Sequence, residues 1–171
     1  MFRRCSLSHL LAASALGWVA CAAPGDAVDG AKPTTADRDT ALDALQSKAG
    51  APVKLEVNEA GTARVLAMTP RFPVAGHATD PAEAAKGFLA DNHDVFQLSA
   101  VDAASFVVTR VDVEPKTGLR HITLQRTYNG IPVFQGAMTV HLDPGNNVFR
   151  VLGDEFYRIT TPTNTQVLTP A

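Results

Sequence analysis

The stretch of sequence that decides the fold is HITLQRTYNGIPVFQGAMTVHL, which occupies residues 121–142. Apolar and polar side chains alternate on both sides of the dipeptide Asn129-Gly130. A period of two residues predicts strands, and Asn-Gly between two such runs predicts a tight hairpin turn. We therefore expect antiparallel strands near residues 119–128 and 132–142.

The length of the loop determines which side chains face each other across this hairpin. A two-residue turn would pair Leu124 with Gln135, which sets an apolar side chain against a polar one. A three-residue loop over residues 128–130, with its glycine left-handed, would pair Leu124 with Phe134 instead. Because a slip of one residue exchanges the two faces of a strand, we expect the three-residue loop. Pro132 has no N–H for the ladder, so it is expected at the loop end or pointing outward.

The rest of the chain predicts one clear helix and further strands. Asp80 can cap a helix whose first residue is Pro81, and the apolar pattern extends that helix to about residue 91. This order of elements predicts an α+β fold, in which an antiparallel meander of about four strands packs on one helix and is preceded by a β-hairpin. The other strands are expected near residues 53–57, 62–68, 105–113 and 147–156.

The N-terminus has the pattern of an export signal. Arg3 and Arg4 precede an apolar run from Leu7 to Val19, and small residues follow. This arrangement is typical of a secretory signal peptide, here residues 1–21. Trp18-Val19-Ala20-Cys21 resembles a bacterial lipobox, which would make Cys21 a lipidation site. The alternative is cleavage by the ordinary signal peptidase, so the protein is expected to be exported, either secreted or lipid-anchored at the cell envelope.

Charge and composition exclude some classes of function. The 171 residues carry a formal net charge of −2 without a basic cluster, which argues against nucleic-acid binding. Contact with a membrane is expected only through a lipid anchor. No His-Glu-x-x-His occurs in the sequence, and His77, His93, His121 and His141 are dispersed. We therefore expect no catalytic residue, no metal ligand and no cofactor, and we predict that this chain is not an enzyme.

The hairpin and its surroundings resemble a known family, the fungalysin/thermolysin propeptide (FTP) domain. The resemblance rests on a His, then Gln, an aromatic residue, Asn-Gly-Ile-Pro-Val and a strand with small residues. It extends over roughly residues 80–156 and includes the preceding helix and the Asp143–Gly145 turn. The sequence then divides into a flexible tether with a short helix (22–50), an FTP-like propeptide domain (51–157) and a linker or processing tail (158–171).

The resemblance implies a pro-region of a secreted zinc metallopeptidase, which assists folding of the catalytic domain and inhibits it, in cis or in trans. A longer precursor would then be the metallopeptidase. The alternative is a free-standing exported protein, lipidated at Cys21, that binds or inhibits a peptidase in trans. Gln125, Tyr128 and Asn129 either contact the peptidase or only stabilise the hairpin. The signature residues, all candidates for docking, are His121, Gln125, Tyr128, Asn129, Gly130, Ile131, Pro132, Val133 and Gly136.

Overall fold

The computed structural model describes residues 33–59, 61–69, 73–75 and 79–153. The predicted signal peptide, the lipidation site at Cys21 and the tail at 158–171 lie outside the described residues and stay predictions. Within the described part, helices and one antiparallel sheet form an α+β structure, which confirms the predicted fold class.

The sheet has six strands, and all its pairings are antiparallel. Its spatial order is β1-β2-β6-β5-β4-β3. The first hairpin therefore joins the meander as part of the same sheet, through pairing of β2 with β6. The strands are β1 (Lys54–Val57), β2 (Ala63–Ala67), β3 (Phe106–Val113), β4 (Arg120–Tyr128), β5 (Ile131–Leu142) and β6 (Val148–Gly153).

Local capping interactions explain where the helices begin. Helix α2 (Pro81–Asp91) starts as predicted, because the Asp80 carboxylate accepts hydrogen bonds from the backbone N–H groups of Ala82 and Glu83. Helix α1 (Thr35–Ala49) has a reciprocal capping box between Thr34 and Asp37. A 3-10 helix (His93–Phe96) and helix α3 (Ala100–Ala104) follow α2.

One face of the sheet forms the core together with the helices. Phe88 and Leu89 of α2 are buried there, as is Leu45 of α1. The sequence placed α1 with the tether, whereas in the structure its residues Leu45 and Ala49 belong to the core cluster. The sheet residues buried at this face include Leu66, Phe106, Ile122, Leu124, Met138, Val140, Leu142, Val148 and Val151.

The predicted three-residue loop is wrong. Tyr128 pairs with Ile131, so Asn129 and Gly130 alone form the turn. Both have positive φ, 49° and 79°, as a type I′ turn requires. Leu124 faces Met138 instead of Phe134, because a bulge in β5 after Pro132 shifts the pairing of the two strands by three residues. Turn chemistry and apolar pattern are thus satisfied at separate places in the hairpin.

Asn146 connects the β5–β6 turn to two distant parts of the chain. Its amide nitrogen donates to the carbonyl of Thr79 at 2.5 Å, and its Oδ1 accepts from Arg120 Nη1 at 2.5 Å. The residue is buried and has φ of 64°, a conformation that asparagine tolerates better than most residues.

We expect Asn146→Ala to lower the free energy of unfolding by about 2–3 kcal/mol, because it removes two part-buried hydrogen bonds and strains a left-handed backbone. Asn146→Gly loses the same hydrogen bonds without the strain, so its cost should be smaller by about 0.5–1 kcal/mol. Urea unfolding of both variants measures the difference. A glycine variant no more stable than the alanine variant would contradict this account.

None of the helices in the described ranges is both long enough and apolar enough to span a bilayer.

Candidate functional site

The most irregular feature of the sheet is a bulge in β5, which lies inside the signature stretch. Gln125 pairs with Ala137 and Thr127 pairs with Pro132, so Arg126 alone faces residues 133–136. A bulge of this size bends its strand and changes the direction of its side chains. We refer to residues 133–136 as the β5 bulge.

Two features of the backbone hold the β5 bulge in shape. Gln135 has φ of 55°, in the left-handed region. At Gly136, an added Cβ would lie 3.1 Å from the Cβ of Val133 and 3.1 Å from the Cβ of Arg126, so the two strands meet there without room for a side chain. Glycine at position 136 therefore permits close approach of β4 and β5.

The side chain of Gln125 fastens the β5 bulge to β4. Its Nε2 donates to the carbonyl of Val133 at 2.7 Å and to the carbonyl of Arg126 at 3.0 Å. These bonds connect the backbone of the bulge with that of β4 at the place where the ladder is interrupted. Gln125, Val133 and Gly136, which the sequence named as signature residues, are thus brought together.

Arg126 anchors the bulge to the core side of the sheet. Its side chain is only 3% exposed and forms an ion pair with Asp102 of α3. Asp102 in turn accepts from the backbone N–H and hydroxyl of Ser99 in a capping box. Next along β4, Thr127 donates from its N–H and its hydroxyl to the carbonyl of Ser105. Helix α3 therefore supports β4 opposite the bulge.

Apolar side chains project from the hairpin end. Phe134, at the centre of the β5 bulge, is 85% exposed and Ile131 is 69% exposed. These are the two most exposed large apolar side chains among the described residues. Tyr128 is exposed, and Pro132 lies next to the turn in an exposed position, as predicted. The signature residues from Tyr128 to Pro132 thus form the turn and the strand ends beside it.

His121 lies at the opposite end of β4 and does not join the bulge. It pairs across the strands with His141, and their Nδ1 atoms are 2.6 Å apart. One ring must donate and the other accept in such a contact. Burial, together with the positive charge of the neighbouring His121 and Arg150, lowers the pKa of His141 to about 4, and burial is the largest of these causes. Asp112 of β3 is the partner of His121 on its other side.

The pKa of His141 gives a prediction for stability. An ordinary histidine has a pKa of 6.5, so between pH 6.5 and about 4 the unfolded chain binds a proton that the folded chain does not. Stability is therefore fully present above pH 6.5 and decreases as the pH falls toward 4. Between pH 7 and 4.5 we expect the wild type to lose about 1–2 kcal/mol more than His141→Gln, a value reduced because the ring is partly exposed to water. Urea unfolding at the two pH values measures the change in stability of each protein. Equal losses of stability for the wild type and His141→Gln would contradict this prediction.

The described part of the chain brings together no group of three or more His, Cys, Asp or Glu side chains that could hold a metal ion. A depression of about 140 Å³ between β5 and β6 is lined by Ala137, Met138, Thr139, Leu152 and Gly153, none of which titrates. The depression therefore offers no side chain for acid–base chemistry.

Phe134, Gln135, Arg126 and Asp102 were not singled out as site residues by the sequence. Phe134 was expected in the core opposite Leu124, but it lies within the bulge and is exposed. A signal was available, because the Asn-Gly turn and the apolar pattern demand different registers. No pattern in the sequence links Arg126 with Asp102, which lie 24 residues apart.

Comparison with known families places this surface in context. Residues 104–154 match the Fungalysin/Thermolysin Propeptide Motif, a range that runs from the end of α3 through β6. The motif is that of a non-catalytic propeptide of thermolysin-like and fungalysin-like peptidases. Searches of curated proteins and of solved structures found no match.

Proposed function

From the fungalysin/thermolysin propeptide motif carried by residues 104–154, we propose that this chain is the pro-region of a secreted zinc metallopeptidase. In this role the domain assists folding of the catalytic domain and then holds it inactive. The match to the motif is the observation that carries the proposal. The partner is the catalytic domain of the peptidase, either on the same polypeptide (in cis) or on a separate one (in trans).

The geometry of the signature stretch supports a binding role. The β5 bulge and the Asn129-Gly130 turn are supported from behind by Gln125 and by the ion pair of Arg126 with Asp102. A surface with fixed geometry loses little conformational entropy on binding. Signature residues therefore divide into supports, such as Gln125 and Gly136, and outward residues that meet the partner, such as Tyr128 and Ile131.

Inhibition and chaperoning are tested with two assays on one purified protein. Added to mature thermolysin, the protein is expected to slow hydrolysis of a fluorogenic peptide in a saturable manner. Added to the denatured peptidase, it is expected to raise the yield of active enzyme on refolding. A serine peptidase of similar substrate breadth is the control, since a chain that is merely a competing substrate would slow both enzymes. No effect in either thermolysin assay would refute the proposal.

The lipobox-like sequence at Cys21 favours a second candidate, a free-standing exported lipoprotein that inhibits or binds a peptidase in trans. Reading the coding sequence beyond Ala171 separates the two candidates. An in-frame His-Glu-x-x-His domain would support action in cis. Labelling with a radioactive fatty acid, and its loss in Cys21→Ser, would support the lipoprotein.

A further inference from the structure

We propose that Phe134 is the anchor of the docking surface, and that it inserts into an apolar pocket of the peptidase catalytic domain. This inference rests on the proposed function and names the contact through which it is carried out. Its basis is the way in which the β5 bulge presents this side chain.

Register correction alone does not explain the β5 bulge. A two-residue turn pairs Tyr128 with Ile131, and an odd shift is needed to return the apolar residues of β5 to the core face. A shift of one residue, with one extra residue in the bulge, would be sufficient. The observed shift is three residues, which leaves Phe134 outside the sheet and 85% exposed.

The extra residues have an energetic cost. Gln135 is a non-glycine residue in the left-handed region at φ of 55°, a conformation that costs on the order of 1 kcal/mol. An exposed phenylalanine gains nothing from burial in the folded monomer. Strained backbone that displays an apolar side chain is typical of binding sites, where the cost is recovered in the complex.

The bulge is also rigid enough to act as an anchor. Gln125 bonds the carbonyl before Phe134, and Gly136 closes the two strands behind it. Arg126, directly opposite, is held by Asp102. Aromatic residues presented in a fixed geometry are the usual high-energy contacts of protein interfaces, because they fill a pocket with little loss of entropy.

The absence of charged side chains at the hairpin end indicates which class of partner it binds. Residues 127–136 include no charged side chain, and the adjacent Arg126 is buried. Surface binding to anionic lipid requires exposed lysine or arginine beside the apolar group, and the hairpin end presents none. An uncharged aromatic anchor next to Ile131 suits an apolar pocket on a folded protein.

The test compares Phe134→Ala with Val113→Ala, an apolar truncation at a 55% exposed position on β3. Both variants are expected to unfold at the wild-type temperature, because each removes an exposed side chain. In the thermolysin assay, Phe134→Ala is expected to weaken inhibition about 30-fold, which corresponds to a 2 kcal/mol contact. Val113→Ala should remain within about twofold of wild type, and Phe134→Leu should recover part of the loss.

The experiment distinguishes a failure of this inference from a failure of the proposed function. Inhibition by the wild type that Phe134→Ala leaves unchanged would overturn this inference and leave the proposed function intact. A wild type without effect on the peptidase would remove the proposed function and this inference with it. Two further experiments test other occupants: flotation with phosphatidylcholine vesicles for lipid, and sedimentation for a second copy of the chain. If binding in either experiment depends on Phe134 and inhibition does not, the residue is assigned to that occupant and the inference is overturned as well.

Discussion

Replacing Arg126 with methionine is expected to lower the free energy of unfolding by about 3 kcal/mol. The guanidinium group is buried against Asp102, so methionine fills part of its volume but removes the positive charge beside that carboxylate, which keeps its hydrogen bonds from Ser99. Breaking one side of such a pair is costly because the remaining charge loses its counterion at a site that water reaches only in part, since Asp102 is 23% exposed. Urea unfolding monitored by far-UV circular dichroism measures the change.

Arg110→Met is the matched control for this substitution. Arg110 pairs with Asp112 at 2.6 Å on β3, but the two side chains are 71% and 41% exposed. An ion pair in such a position contributes less than about 1 kcal/mol, because water solvates both charges. Similar losses for the two arginine variants would show that burial does not distinguish them.

A double-mutant cycle separates the ion pair from packing. Asp102→Asn removes the negative charge that Arg126→Met leaves without a counterion. The double variant should therefore be more stable, by at least about 1 kcal/mol, than the sum of the two single effects predicts. Strict additivity would mean that the two side chains do not interact in solution. Measuring inhibition of the peptidase by the same variants shows whether docking requires the contact between α3 and β4.

Truncation of Leu124 to alanine is expected to cost about 3–4 kcal/mol. This side chain is fully buried on β4 opposite Met138, and the cavity it leaves is enclosed by the sheet and the helices. The loss of transfer free energy and the cavity both contribute. Thermal and urea unfolding of the variant provide the measurement.

Val107→Ala is the comparison for the core prediction. Val107 lies on the neighbouring strand, faces Gln125 on the opposite side of the sheet, and is 46% exposed. Its truncation should cost less than about 1 kcal/mol. If both truncations cost the same, the assignment of the core face would be incorrect.

The sequence was sufficient for elements whose signals are local. Helix α2 begins at Pro81 because Asp80 caps it, and both residues are visible in the sequence. The strands of the meander end where turn residues interrupt the alternation, as at the Asn129-Gly130 turn. The Asn-Gly dipeptide and the residues around it also carried the resemblance to the propeptide motif, which residues 104–154 match.

The sequence by itself thus determined the α+β class, the strands of the meander and the resemblance to the propeptide motif, since periodicity, caps and turn residues act within a few positions of one another. Only the tertiary structure decided the register of β4 against β5, the exposure of Phe134 and the pairing of Arg126 with Asp102. Each of these depends on free-energy balances between parts of the chain that are distant in sequence. The turn favoured one register and the core favoured another, and the β5 bulge is the conformation in which both are satisfied.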